Sequence, residues 1–207
     1  MMKPDEIIKK KIAEAEKRIF GLIESGDLKN ISESEKYKIS EFYEVKSKNR
    51  LESAKLIYNA SKNNSRFSLD RNYKDYSEVV SAAYYAMYYI VHAFIALSYK
   101  RKLREGIRGV HAITEHLILY YMVKTGKLAK HLYERYLETL ETTAEVQSIS
   151  IKDFEEKAYD YAKKYDETRT NREVFTYNVT ANIEEYRAKQ AIDTAEEFIN
   201  TVRQLIS

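Results

Sequence analysis

The stretch RTNREVFTYNV, residues 169–179, holds the side chains of this chain best suited to chemistry on an anion. Arg169 and Arg172 stand three apart, so on a helix they share a face; Asn171 lies between them and Tyr177 follows five residues after the second arginine. Guanidinium groups stay protonated and present forked donors that match phosphate oxygens. A phenol adds one hydrogen bond, but with a pKa of about 10 it is a poor base, and lowering that by three units takes roughly 4 kcal/mol of environment. Arg169, Asn171, Arg172 and Tyr177 are therefore equipped to hold a phosphate and badly equipped to cut beside one. The competing reading is a solvated helix end with one packed tyrosine.

Proton transfer at neutral pH points to histidine, and the chain has four. His111 follows Arg104 with EGIRGV between them, a spacing that twelve arginines and four histidines produce by chance. His111 and His116 are five apart, about 500° round a helix, so they do not form the one-face pair that a metal needs. His131, beside Lys130, reads as exposed. His92 lies in SAAYYAMYYIVHAFIAL, residues 81–97, where Tyr84, Tyr88, Val91 and Ile95 form one stripe and Tyr85, Tyr89 and His92 a neighbouring one. Core packing with each hydroxyl partnered is one reading of Tyr84, Tyr85, Tyr88 and His92. A face shared with a second subunit or a ligand is the other. With no cysteine, no Gly-rich phosphate loop, no serine elbow and no paired-carboxylate site, neither a metal centre nor a cofactor is expected.

The elements that must position these groups are helical. Five Gly and one Pro in 207 residues leave little for hairpins, whereas helix formers are plentiful. No apolar run approaches the roughly 18 residues of a membrane span and no signal peptide opens the chain, which reads as soluble and cytoplasmic. A net charge of +3 argues neither for nor against nucleic acid. Helix 1 starts at Pro4-Asp5-Glu6, carries Ile8, Ile12, Ile19 and Ile23, and stops at Gly26. Ser32 and Glu35 form a capping box leading into Ile39, Phe42 and Tyr43. KSKNR at 46–50 interrupts the apolar face before Leu51, leaving one long helix or a break. Asp75 with Glu78 caps a strongly apolar helix from Tyr76 to about Leu103, closed by the cations of KRKLREGIR. Helices follow at 110–124, 127–141 and 151–172, and Asn182 with Glu185 caps a last one carrying Ile183, Tyr186, Ile192, Ala195, Ile199, Val202 and Ile206. Short connections between such helices predict an all-α, antiparallel bundle.

Four pieces, in order, resemble the HEPN domain family: LESAKLIYNASKN, YSEVVSAAYYAMYYIVHAFI, GVHAITEHLILYYMVKTGKL, and RTNREVFTYNV followed by AKQAIDTAEEFINTVRQLI. The resemblance implies an up-and-down four-helix bundle over 46–207, with 141–165 inserted before the last helix and 1–45 an N-terminal helical extension. It also implies a homodimer whose closing motifs face each other. Many members are metal-independent ribonucleases, often toxins paired with a small nucleotidyltransferase, marked by an Arg and, four to six residues on, a His. Here Tyr177 stands where that His would be, and Thr176 replaces the acid of the branch that ends in Asp-Tyr.

Three functions follow as expectations. The first is binding of nucleotide or RNA phosphate by Arg169, Asn171, Arg172 and Tyr177 without efficient catalysis. The second is an endoribonuclease using Arg172 with His111 or Tyr177. The third is an interaction partner, or a target modified at Tyr177, of a nucleotidyltransferase.

Overall fold

The computed structural model describes residues 4–146 and 185–206, and these are mostly helical, as expected. In chain order they form α1 (Pro4–Glu24), β1 (Leu28–Asn30), α2 (Glu33–Lys62), a 3-10 turn (Asn64–Phe67), α3 (Tyr76–Tyr99), β2 (Arg101–Leu103), α4 (Val110–Ile118), a π-helical turn (Leu119–Val123), α5 (Lys130–Val146) and α6 (Glu185–Gln204). The helix expected over 151–172 and the cap at Asn182 lie outside the described residues.

The centre is α3. Sixteen of its 24 residues are buried, too many for one face, so it is wrapped on several sides by α2, α4, α5 and α6. It is long and apolar enough to cross a membrane, which corrects the expectation that no stretch reaches that length, although most of it lies inside the fold. Ala82, Ala83, Ala86, Ala93 and Ala96 let its neighbours approach closely. The first helix joins the same core through Ala15, Ile19 and Leu22.

KSKNR does not break α2. The helix runs unbroken through it, and the boundary expected between 45 and 46 falls inside this one element. Its inner face is built of small residues rather than large apolar ones: Ser40, Ser47, Ala54, Ala60 and Ser61 are buried with Leu51. Ser47 is fully buried and its Oγ donates to the carbonyl oxygen of Ala86 on α3 at 2.7 Å. Two helices thereby lie close with a buried hydroxyl satisfied. Phe42, counted on the core face from its spacing, is instead 53% exposed. Replacing Ser47 by Leu drives a large side chain into the α2–α3 seam and is expected to cost about 1–3 kcal/mol, measured by urea unfolding, while Ser47→Ala costs about 1.

The apolar helix ends at Tyr99, not near Leu103. Lys100 adopts φ 50 as a left-handed C-cap, and Arg101–Leu103 leaves as a strand antiparallel to β1, with Leu28 opposite Leu103 and Asn30 opposite Arg101. Asp27 and Arg104 close the pair, carbonyl to amide at 2.7 Å and carboxylate to Nε at 2.7 Å. That guanidinium holds the Asp27 carboxyl below its usual range. The cations read as complements to a helix dipole thus belong mainly to a two-stranded ribbon. The capping box at Ser32 and Glu35 forms in both directions, whereas Asp75 accepts from the Glu78 amide and its own amide donates to Ser61.

Candidate functional site

Arg169, Asn171, Arg172 and Tyr177 lie outside the described residues; the insertion expected over 141–165 starts inside α5, which runs to Val146, and the rest of it lies outside the described residues. The other candidates converge on one side of α3. Tyr84 is fully buried, with its hydroxyl 2.6 Å from His111 Nδ1 and 3.4 Å from the Tyr136 hydroxyl. Its ring packs against those of Tyr85, His111 and Tyr136, and Tyr136 stacks on Phe198 of α6 at 5.7 Å. His92 reaches Thr114 Oγ1 with Nε2 at 3.0 Å. The Thr114 hydroxyl donates to the Val110 carbonyl at 2.7 Å, so it accepts from His92, which places the proton of that imidazole on Nε2.

Burial sets the chemistry of this cluster. It lowers the pKa of His92 to about 4 and, with the nearby His92, that of His111 to about 3. The same cause pushes the Tyr85 phenol up to about 12 and those of Tyr84 and Tyr88 well above their usual value. At neutral pH every member is uncharged: imidazoles too weakly basic to take a proton, phenols too weakly acidic to lose one. Tyr84, His92 and His111 therefore pack and hydrogen-bond within the core. Tyr85 and Tyr88 are only partly buried.

Of the remaining histidines, His131 is exposed and lies 3.6 Å from Glu197. His116 is half-buried, and its Nδ1 is a buried polar atom without a partner among the described residues. Their rings sit on separate elements, α5 and α4.

A cleft of about 560 Å³ opens between α5 and α6 and is floored by Val80 of α3. Glu138, Glu141 and Glu145 line one wall; Arg187, Gln190 and Thr194 line the other. Arg187 is held by Thr142 at 3.1 Å and Glu145 at 3.4 Å. Three carboxylates against one committed guanidinium make a negative wall, which repels phosphate.

Spacing alone left three participants of the α2–α3 surface unrecognised: Lys46 and Arg50, and the ring of Tyr43. Their i, i+3, i+7 order on one helix face was the available signal. The last helix shows a related difference, since Tyr186, counted with its apolar period, is 62% exposed and Phe198 supplies the large core ring instead. Compared with known proteins, the chain matches no family model, no curated protein and no solved structure.

Proposed function

We propose that this chain is a HEPN-like, phosphate-binding protein that holds nucleotide or RNA through Arg169, Asn171, Arg172 and Tyr177 and does not cleave it efficiently. The observation that carries this reading is the motif itself: two permanent cations three residues apart, with a tyrosine where a catalytic histidine would stand. The burial of His92 and His111 supports it further, because neither imidazole is basic enough near pH 7 to replace the missing one. In this proposal the guanidiniums bind phosphate oxygens in forked pairs and the phenol donates to a third oxygen.

The test is equilibrium binding of a short RNA to the full chain, with and without Arg169→Ala and Arg172→Ala. Removal of both arginines is expected to weaken binding about tenfold or more and to flatten its salt dependence by about two phosphate contacts. The RNA should emerge intact from metal-free incubation. Cleavage that disappears in folded Arg172→Ala would assign catalysis instead, and unchanged affinity in the double variant would remove the proposal.

A further inference from the structure

The α2–α3 seam presents aromatic rings and cations in register. On α2, Tyr43, Lys46 and Arg50 fall on one stripe; on α3, Tyr85, Tyr89 and His92 form another. The stripes run antiparallel. Tyr43 stacks on Tyr89 at 6.1 Å and contacts His92 at 5.4 Å, Lys46 lies 5.3 Å from the centre of the Tyr89 ring, and Arg50 lies 5.8 Å from that of Tyr85. Phe42 extends the row outward, T-shaped against Tyr43 at 5.3 Å, with Lys46 4.6 Å above its ring.

Two features of this row are unexplained by packing. Its outermost ring, Phe42, is 53% exposed, and Val45 beside it is 52% exposed. The hydroxyls of Tyr43, Tyr85, Tyr88 and Tyr89 make no hydrogen bond among the described residues and are not buried, so they open to solvent. A phenol is protonated at neutral pH, so these four are donors open to water or to a ligand. The cations are local: KSKNR places Lys46, Lys48 and Arg50 within five residues and no acid among them. Among the described residues Lys46 has no carboxylate within salt-bridge distance, and Arg50 has only Glu78, at 3.8 Å.

From this arrangement we infer that the α2–α3 seam is a stacking platform for unpaired nucleobases of single-stranded RNA, centred on Phe42, Lys46, Arg50 and Tyr89. A base stacks on the exposed Phe42 ring, phosphates take Lys46 and Arg50, and the phenols donate to phosphate or base oxygens. A paired duplex buries its base faces and offers the rings nothing, so the platform selects single strands. The inference rests on the reading that the ligand is RNA. It adds a second contact surface, separate in sequence from residues 169–177.

The chain has no tryptophan, so Phe42→Trp installs a lone reporter on the platform. The full-length variant is titrated with a twelve-residue oligouridylate, an oligoadenylate, the matching duplex and inorganic polyphosphate, and affinity is read in parallel by anisotropy of labelled RNA. The tryptophan is expected to be quenched by both single strands and untouched by polyphosphate. Phe42→Ser with Lys46→Glu, both at exposed positions, should weaken single-strand binding about tenfold or more, the loss of one stacked base and one phosphate contact, whereas Phe42→Tyr with Lys46→Arg should retain it. RNA binding that depends on Arg169 and Arg172 but ignores the platform substitutions, without quenching, overturns this inference and leaves the motif reading standing. Binding lost only in the platform variants upholds it and removes the motif reading. No RNA binding by the wild-type chain removes both. A tryptophan signal that follows protein concentration without RNA assigns the seam to a second copy and also overturns the inference.

Discussion

Between pH 6 and pH 4.5 the stability of the fold should fall by about 2.7 kcal/mol per pH unit, the slope of two protons bound on unfolding. The sign follows from the depressed imidazoles. His92 and His111 titrate near 4 and 3 in the folded chain and near 6.5 once unfolded, so their contribution is complete above pH 6.5. It is lost as the pH falls through that window toward the folded values. Counted from neutral pH, the loss by pH 4.5 amounts to about 5 kcal/mol, comparable with the whole stability of a small domain. Urea midpoints followed by far-ultraviolet circular dichroism across this range measure it. His92→Gln keeps a donor for Thr114 and removes one titrating site, so its slope should drop to about 1.4 kcal/mol per unit whatever its starting stability. Equal slopes in the variant and the wild type would mean that His92 is not the group taking up protons.

The second large effect belongs to Tyr84. Its fully buried ring fills the space between His111, Tyr136 and Tyr85, and its hydroxyl is 2.6 Å from His111 Nδ1. Tyr84→Ala should cost about 3–5 kcal/mol, since it removes a large core ring and leaves a cavity that the surrounding helices fill only in part. Tyr84→Phe keeps the ring and should cost about 1–2 kcal/mol, the loss of the buried hydroxyl's hydrogen bonding to His111 and Tyr136. The comparison separates packing from hydrogen bonding at one position. A phenylalanine variant as unstable as the alanine one would move the weight from the ring to the hydroxyl network, and the role assigned here to packing would fail.

These two expectations share a cause with the functional reading. Aromatic and imidazole groups in the middle of α3 are kept neutral by burial, so they support the scaffold, while the side chains able to meet an anion lie at its surface or in the motif at 169–177. Phe42, Lys46 and Arg50 sit on the outer edge of the same ring network that ends in Tyr84 and Phe198. A ligand stacked on the rim therefore touches a surface whose rings are fixed from beneath, at a smaller entropic cost than a flexible loop would carry.

Much of the helical content was readable from residue order alone. The capping box at Ser32 and Glu35, the start of α3 after Asp75, the stop at Gly26 and the apolar stripe of Tyr84, Val91 and Ile95 all depend on neighbours within a turn or two, and short-range chemistry decides them. Tertiary structure decided what local periodicity does not encode. The ribbon joins Leu28–Asn30 to Arg101–Leu103, segments that meet only because α2 and α3 lie back to back. Where α2 passes through KSKNR, Ser47 meets the Ala86 carbonyl of α3, so a small polar residue takes the buried position and Phe42 lies outward. A count of apolar side chains gives the wrong face wherever two helices approach through serine and alanine, because close backbone contact there outweighs side-chain size. For the same reason the meeting of Lys46 and Arg50 with Tyr89 and Tyr85 is a property of two packed helices and of neither sequence stretch by itself.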